Sequence, residues 1–307
     1  MTRLAALSID LDALPHYHRI HGLADPPPGD DPVHGRAVER FGEVCARLGV
    51  RGTAFCVGRD LERPGAAAAV SALARAGHEL ANHSLSHDYA LSRRTPVEIR
   101  AEVRGGADAV ARVTGRAPVG FRAPGYTLSS ALLDALVAEG YRYDSSAFPA
   151  LPYYAAKAAV LSALALAGRR SGAVLDRPRV LTAPRAPYRP RGDEPYARGA
   201  GAVLELPITT GFLGFPLIGT FIAALPPPAM RFLSAGSRRL PLVNLELHGI
   251  DLLDASDASP ALAARRRDLR VPAALKIARI EAFVRGLAGR EWLTLEAAAA
   301  RIAADLL

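Results

Sequence analysis

Gly77-His78-Glu79-Leu80-Ala81-Asn82-His83-Ser84-Leu85-Ser86-His87 reads as a short apolar strand, Glu79–Asn82, that runs out into two imidazoles four residues apart. Such a pair is a ready clamp for a divalent metal, and it needs a third ligand. The run Leu4–Asp10 supplies one, because Asp10 and Asp12 fall on the same side of an extended chain. Two histidines and a strand-end aspartate leave coordination positions open, the arrangement hydrolytic metal sites use to hold water and substrate.

The same rhythm continues on either side. Strand-like runs Leu4–Asp10, Arg51–Val57, Glu79–Asn82 and Val119–Arg122 alternate with helix-like stretches Gly35–Leu48, Ala66–Ala76, Pro96–Thr114 and Ser130–Glu139. Alternation of this kind predicts βα units and an α/β fold with a parallel sheet or barrel. Functional groups should then collect at the C-terminal ends of the strands. Asp10, His83, Arg122 and His248, the last after a run Leu242–Leu247, all sit at such ends. Residues 271–307 read as two helices around a last strand near Glu291–Leu295.

The middle breaks the pattern. A long Ala/Leu helix, Tyr154–Ala167, precedes a Pro/Arg-rich stretch, Arg177–Arg198, expected as an extended loop or flap. Gly211–Leu225 is apolar but interrupted by Pro216 and closed by Pro226-Pro227-Pro228. It falls short of the roughly 20 residues a spanning helix needs. It reads either as a buried element or as an interfacial surface that meets lipid.

A chain of 307 residues suits one catalytic domain over 1–307, with an atypical insertion at about 150–235. Lys and Arg exceed Asp and Glu by 38 to 30. Arg265-Arg266-Arg267 and the other basic clusters lack interleaved aromatics, so no nucleic-acid partner is expected. The surplus fits a solvated surface, or a face toward anionic lipid or a phosphorylated carrier. Two cysteines, Cys45 and Cys56, are too few for a disulfide framework, and Cys56 lies in a core strand. The first strand starts within a few residues of Met1, too early for a signal peptide, so a cytoplasmic setting is expected, with peripheral contact at the inner face of the membrane as a variant.

Five separated segments, in order, resemble the polysaccharide deacetylase family, also called the NodB-homology or carbohydrate esterase family 4 group. They are Ser8-Ile9-Asp10-Leu11-Asp12, His83-Ser84-Leu85-Ser86-His87, Gly120-Phe121-Arg122-Ala123-Pro124-Gly125-Tyr126, Tyr141-Arg142-Tyr143-Asp144-Ser145-Ser146 and Leu245-Glu246-Leu247-His248. The resemblance implies a distorted (β/α) barrel and, residue by residue, a set of roles. Asp12, His83 and His87 would bind one divalent metal, usually zinc, with cobalt, nickel and manganese compatible with the same donors. Asp10 would be the general base and Arg122 the arginine that orients it. The two acids are separated by Leu11 where the family has them adjacent, so base and ligand could exchange between them.

His248 would protonate the leaving amine, with Asp144 expected to hold its tautomer. Pro124, Gly125 and Tyr126 would supply the oxyanion loop, and Leu245 and Leu247 a small acyl pocket. His16, His18, His21 and His34 are expected in a solvated or substrate-facing loop. The implied activity is removal of an N-acyl group, most simply acetyl, from an amino sugar, free or on a lipid-linked or nucleotide-linked precursor or glycolipid. Deformylation or cleavage of another non-peptide amide on the same metal site is the nearer alternative, and an inactive carbohydrate- or lipid-binding protein the more distant one.

Overall fold

The computed structural model describes residues 2–305 other than 28, 167, 169 and 170. Its centre is β1 (Leu4–Asp10), a fully buried seven-residue strand. One edge of β1 pairs along its whole length with β9 (Leu242–His248), from Leu4↔Leu242 to Asp10↔His248. The other edge is shared: β10 (Glu291–Trp292) takes Leu4 and Ala5, and β2 (Thr53–Cys56) takes Ser8 to Asp10. The sheet continues through β3 (Glu79–Asn82), β4 (Gly120–Phe121), β5 (Tyr143–Asp144) and β8 (Leu204–Glu205), every pairing parallel.

Closure is made by the chain that follows β8. Thr209 N–H donates to Asn244 O at 3.1 Å, Asn244 N–H donates to Thr209 Oγ1 at 2.7 Å, and Ile218 bridges Glu246 in parallel. The result is the expected barrel, strongly distorted, with helices outside it.

Period-two alternation sorts the side chains. Leu7, Ile9, Leu245 and Leu247 face outward into one apolar layer with Phe41, Leu73, Ile280 and Val284 of the covering helices. Ser8, Asp10, Asn244 and Glu246 face inward, so the barrel interior is polar. Its amino end is stoppered by Glu79, which accepts from Thr53 Oγ1 (2.7 Å), Tyr143 OH (2.6 Å) and the backbone N–H of Glu296 (2.8 Å). The last bond places a carboxylate at the start of helix Leu295–Asp305, where the helix dipole favours it.

The expected strands and helices are present with small shifts, and Pro96–Thr114 has its expected bounds, fixed by a Thr95/Glu98 capping box. Helix Val38–Leu48 is preceded by a π-helical turn, Val33–Ala37, where one continuous helix from Gly35 was expected. Arg177–Arg198 is not a plain extended loop: it holds a 3₁₀ turn, Pro178–Thr182, and an antiparallel hairpin of β6 (Pro190–Arg191) and β7 (Glu194–Arg198). The Ala/Leu helix spans Leu151–Leu166, and the expected end at Ala167 lies outside the described residues. The stretch 211–225 divides, with Leu217 and Ile218 buried while Phe212 and Leu213 are exposed. Among the described residues no helix is long and apolar enough to cross a membrane.

Candidate metal and hydrolytic site

At the carboxyl end of the barrel the backbone leaves β3 in an unusual way. Ser84 and His87 both take positive φ, +66° and +57°, a conformation costly for residues other than glycine. Local bonds hold it. Ser84 Oγ accepts from His87 N–H at 3.0 Å, Ser84 O accepts from Gly58 N–H, and Glu102 accepts from both the N–H and the hydroxyl of Ser86 (2.9 and 2.8 Å). Helix Pro96–Thr114 approaches this close only because Gly105 and Gly106 have no side chain: a Cβ on Gly106 would lie 2.1 Å from Asn82 Oδ1.

The turn points both imidazoles at the end of β1. Asp12 Oδ1 lies 3.3 Å from His83 Nε2 and 3.3 Å from His87 Nε2, all three residues buried. Asp12 Oδ1 has no hydrogen-bond partner, although it sits in the interior. A buried unpaired carboxylate oxygen is costly unless something compensates it. His83 Nδ1 bonds to Arg122 O at 2.7 Å, which leaves Nε2 directed at Asp12, the outer-sphere arrangement usual for a metal-bound histidine. Burial holds His87 down to about 4, against the pull of Asp12, so its ring is neutral and its lone pair available. The three donors fit one divalent ion.

Asp10 lies beside this trio, Oδ2 at 3.7 Å from His83 Nε2. Its other oxygen accepts from Arg122 Nη1 at 2.5 Å. Arg122 is fully buried, bonded also to Ser8 Oγ, Ser145 Oγ and Ser145 O, and stacked 4.0 Å over Phe55. Burial raises the Asp10 carboxyl above its ordinary value, with Arg122 and His83 opposing.

His248 does not pair with Asp144. Asp144 accepts from Ser146 (Oγ, 2.8 Å) and sits against Glu205, whose carboxyl burial holds well above its usual range. The carboxylate beside His248 is Glu246, Oε1 at 3.0 Å from Nδ1, because residues two apart on β9 share a face. Tyr126 OH donates to Glu246 Oε1 (2.9 Å) and lies 3.1 Å from His248 Nε2. Burial works against a charged His248, but Glu246 outweighs it and holds the imidazolium up to about 10.

The same alternation removes Leu245 and Leu247 from the site, since they belong to the outer apolar layer and line no acyl pocket. Pro124, Gly125 and Tyr126 form a tight turn with Gly125 and Tyr126 at φ +68° and +63°, and the Tyr126 N–H is bound to Ala123 O. Among the expected loop histidines, His16 pairs with Asp60 at 2.8 Å, and His18 and His34 are also buried, so these three are not solvated.

A cavity of about 320 Å³ contains Asp10, Asp12, His83, His87, Tyr126 and His248. A groove of about 820 Å³ between helices Val38–Leu48 and Ala66–Arg75 is larger, but none of these groups reaches it. Rings of Tyr17, Tyr89, Tyr153 and Phe221 wall the smaller cavity, together with Ile218, Lys157 and Arg266. Sequence reading missed these walls, for they come from segments without a motif. Glu246 was within reach, lying two residues before His248 in a recognised strand.

Residues 30–143 match the sequence model of the polysaccharide deacetylase family, a span that holds His83, His87 and Arg122 but not Asp10, Asp12 or His248. No curated protein matches the chain. Among solved structures, a candidate polysaccharide deacetylase of Mycobacterium smegmatis is 17% identical, covering 100% of this chain and 93% of its own, with a TM-score of 0.63. A family 4 pseudoenzyme of Bacillus anthracis, BA3943, is 10% identical over 97% of this chain and 66% of its own, with a TM-score of 0.50. Likeness at this level concerns the fold, and a fold that also houses a pseudoenzyme leaves chemistry to the side chains. Residues 30–143 are thus similar to the polysaccharide deacetylase family, and the likeness of the whole chain to these structures is one of fold.

Proposed function

We propose that the protein is a metal-dependent hydrolase that removes an N-acyl group, acetyl foremost, from an amino sugar. The unpaired, buried Asp12 Oδ1 between two imidazole nitrogens carries this reading. Held by Asp12, His83 and His87, a divalent ion, zinc or one of similar preference, supplies Lewis acidity toward water and the acyl oxygen. Asp10, oriented by Arg122 and made more basic by burial, takes the proton of the attacking water. Gly125 takes φ +68° where a Cβ would lie 2.9 Å from the Tyr89 ring, so only glycine fits this turn beside the cavity. Protonated His248 delivers a proton to the departing nitrogen, which leaves poorly as an amide anion.

The acid must be protonated to work, so activity is lost as pH rises through the His248 pKa. Glu246→Gln removes the carboxylate that holds it near 10, and the alkaline limb of the kcat profile is expected to move down toward the ordinary histidine range. An unmoved limb would assign the proton to another group.

The cavity supports a finer statement of substrate. Its walls are mainly apolar, and Lys157 Nζ has Gly125 O at 3.5 Å but no carboxylate within ion-pair reach among the described residues. A phosphate-bearing amino sugar with an apolar extension, as in a lipid-linked precursor, complements both features. The test is acetate and formate release from neutral and phosphate-bearing N-acylated amino sugars. Acetate is expected mainly from the phosphate-bearing ones, and Lys157→Met is expected to raise their KM about tenfold, the usual value of a charge-assisted bond, with kcat little changed. Formate alone would point to a deformylase, and neither acid from any substrate to a binding protein.

A further inference from the structure

The segment between β5 and β9 differs from the rest of the chain in two ways that have no bearing on the chemistry above. Residues 150–235 hold ten Lys and Arg against four Asp and Glu, so most of the chain's surplus of positive charge lies there. Of the ten large hydrophobic side chains that stand exposed among the described residues, seven also lie there. Charge and exposed apolar side chains are thus concentrated in the same stretch of the chain.

The apolar residues are arranged as a face. Helix Leu151–Leu166 buries only Tyr154, and Lys157 is its single charged residue. Leu151 and Leu166 project from it, Leu166 at 91% exposure. Beside its first turn stands the Phe212–Gly214 turn, where Gly214 packs near Pro149 O and Leu151 N. That turn holds Leu213 at φ +50° and 79% exposed, a conformation unfavourable for leucine that serves no packing. Phe212 lies edge-on to Phe232, centroids 5.6 Å apart, and Phe232 follows exposed Arg231. At the other side of the helix, Val160 and Leu161 line the catalytic cavity.

A monomer in water gains nothing by exposing a contiguous apolar face of this kind, and such faces mark contact with a protein or a membrane. Basic charge carried by the same segment, exposed Arg231 beside Phe232 among it, selects among occupants: anionic phospholipid attracts arginine and accepts aromatic and leucine side chains at the level of its headgroups. We infer that helix Leu151–Leu166 and the Phe212–Gly214 turn, with Phe232, form a docking face for an anionic phospholipid bilayer, placing the mouth of the catalytic cavity at the lipid surface. This deepens the lipid-linked reading of the substrate and rests on it for its purpose alone. The face holds the protein where an amino sugar anchored by an apolar tail presents itself.

The experiment is co-flotation of the full chain with vesicles of phosphatidylcholine alone and of phosphatidylcholine with phosphatidylglycerol. Binding is expected only to the anionic vesicles and is expected to weaken with salt, each surface cation being worth about fivefold in affinity. Leu213→Glu and Leu166→Glu should each reduce binding at least about tenfold with unchanged far-ultraviolet circular dichroism and metal content, while Val97→Glu, exposed on helix Pro96–Thr114, should not. Absence of binding to either vesicle, equal binding to both, or binding that Leu213→Glu retains overturns the inference. So does a dimer in solution that Leu213→Glu dissolves, which would give the face to a second copy. Acetate release from a water-soluble substrate on the same samples reports on the catalytic reading separately.

Discussion

His83→Ala is expected to release the metal and, with it, all measurable hydrolysis, whereas Asp10→Asn is expected to keep the metal and lose only the hydrolysis. The geometry separates the two. His83 Nε2 faces Asp12 Oδ1 at 3.3 Å and is directed there by the Arg122 carbonyl on its other nitrogen. Loss of an outer-sphere partner alone commonly costs 10- to 100-fold in metal affinity, so loss of a direct donor from a three-residue set should cost more than about 100-fold. Asp10 bonds to Arg122 through one oxygen and stands 3.7 Å from His83 with the other, outside the three-donor cluster. A missing general base lowers rate by about 10²- to 10⁴-fold without a matching change in binding. Elemental analysis and acetate release on the same preparations check both. Metal lost from Asp10→Asn and kept by Asp12→Asn would exchange the two acids' roles.

Arg122→Met should be the most destabilising single change in the barrel. The guanidinium is fully buried and makes four hydrogen bonds, one of them to a carboxylate that is itself buried. Methionine of similar length fills the space over Phe55 but leaves Asp10 as an uncompensated interior charge, a loss of about 3–5 kcal/mol. In a chain of this size that is a fall in melting temperature of about 10 °C. The double variant Asp10→Asn, Arg122→Met should recover part of the loss, since the stranded charge is gone. Additive losses in that cycle, read by thermal or denaturant unfolding, would show that the pair does not couple.

Most of the strand ends and the clustering of Asp12, His83 and His87 could be read from the chain because they follow local rules. His83 and His87 are four apart, Asp10 and Asp12 two apart, and each group ends an apolar run. What could not be read was set by contacts between distant segments. Asp144 looked free to serve His248, but Glu205, from a strand with no recognisable motif, occupies it. Leu245 and Leu247 were read as pocket residues by their nearness to His248, although the alternation that pairs Asp10 with Asp12 already turned them away from it. The cavity walls at Tyr153, Lys157 and Phe221 come from a segment whose pattern is merely apolar, and apolar pattern does not tell a wall from a core.

The pairing of β1 with β9 gives the protein a safeguard in time as well as in space. Ser8 and Leu245, bonded across that pair, are 237 residues apart. Asp10 enters solution early in synthesis, but His248 and Glu246 meet it only after the last long strand has been made and has found its register. Contacts so remote in sequence form late, because loop closure must come before they reward the chain. A slip of one residue would turn Glu246 and His248 outward and bring two leucines in. A nascent or misregistered chain therefore holds Asp10 without Glu246 and His248 beside it, and the polar cluster at the barrel mouth is assembled only with the completed fold.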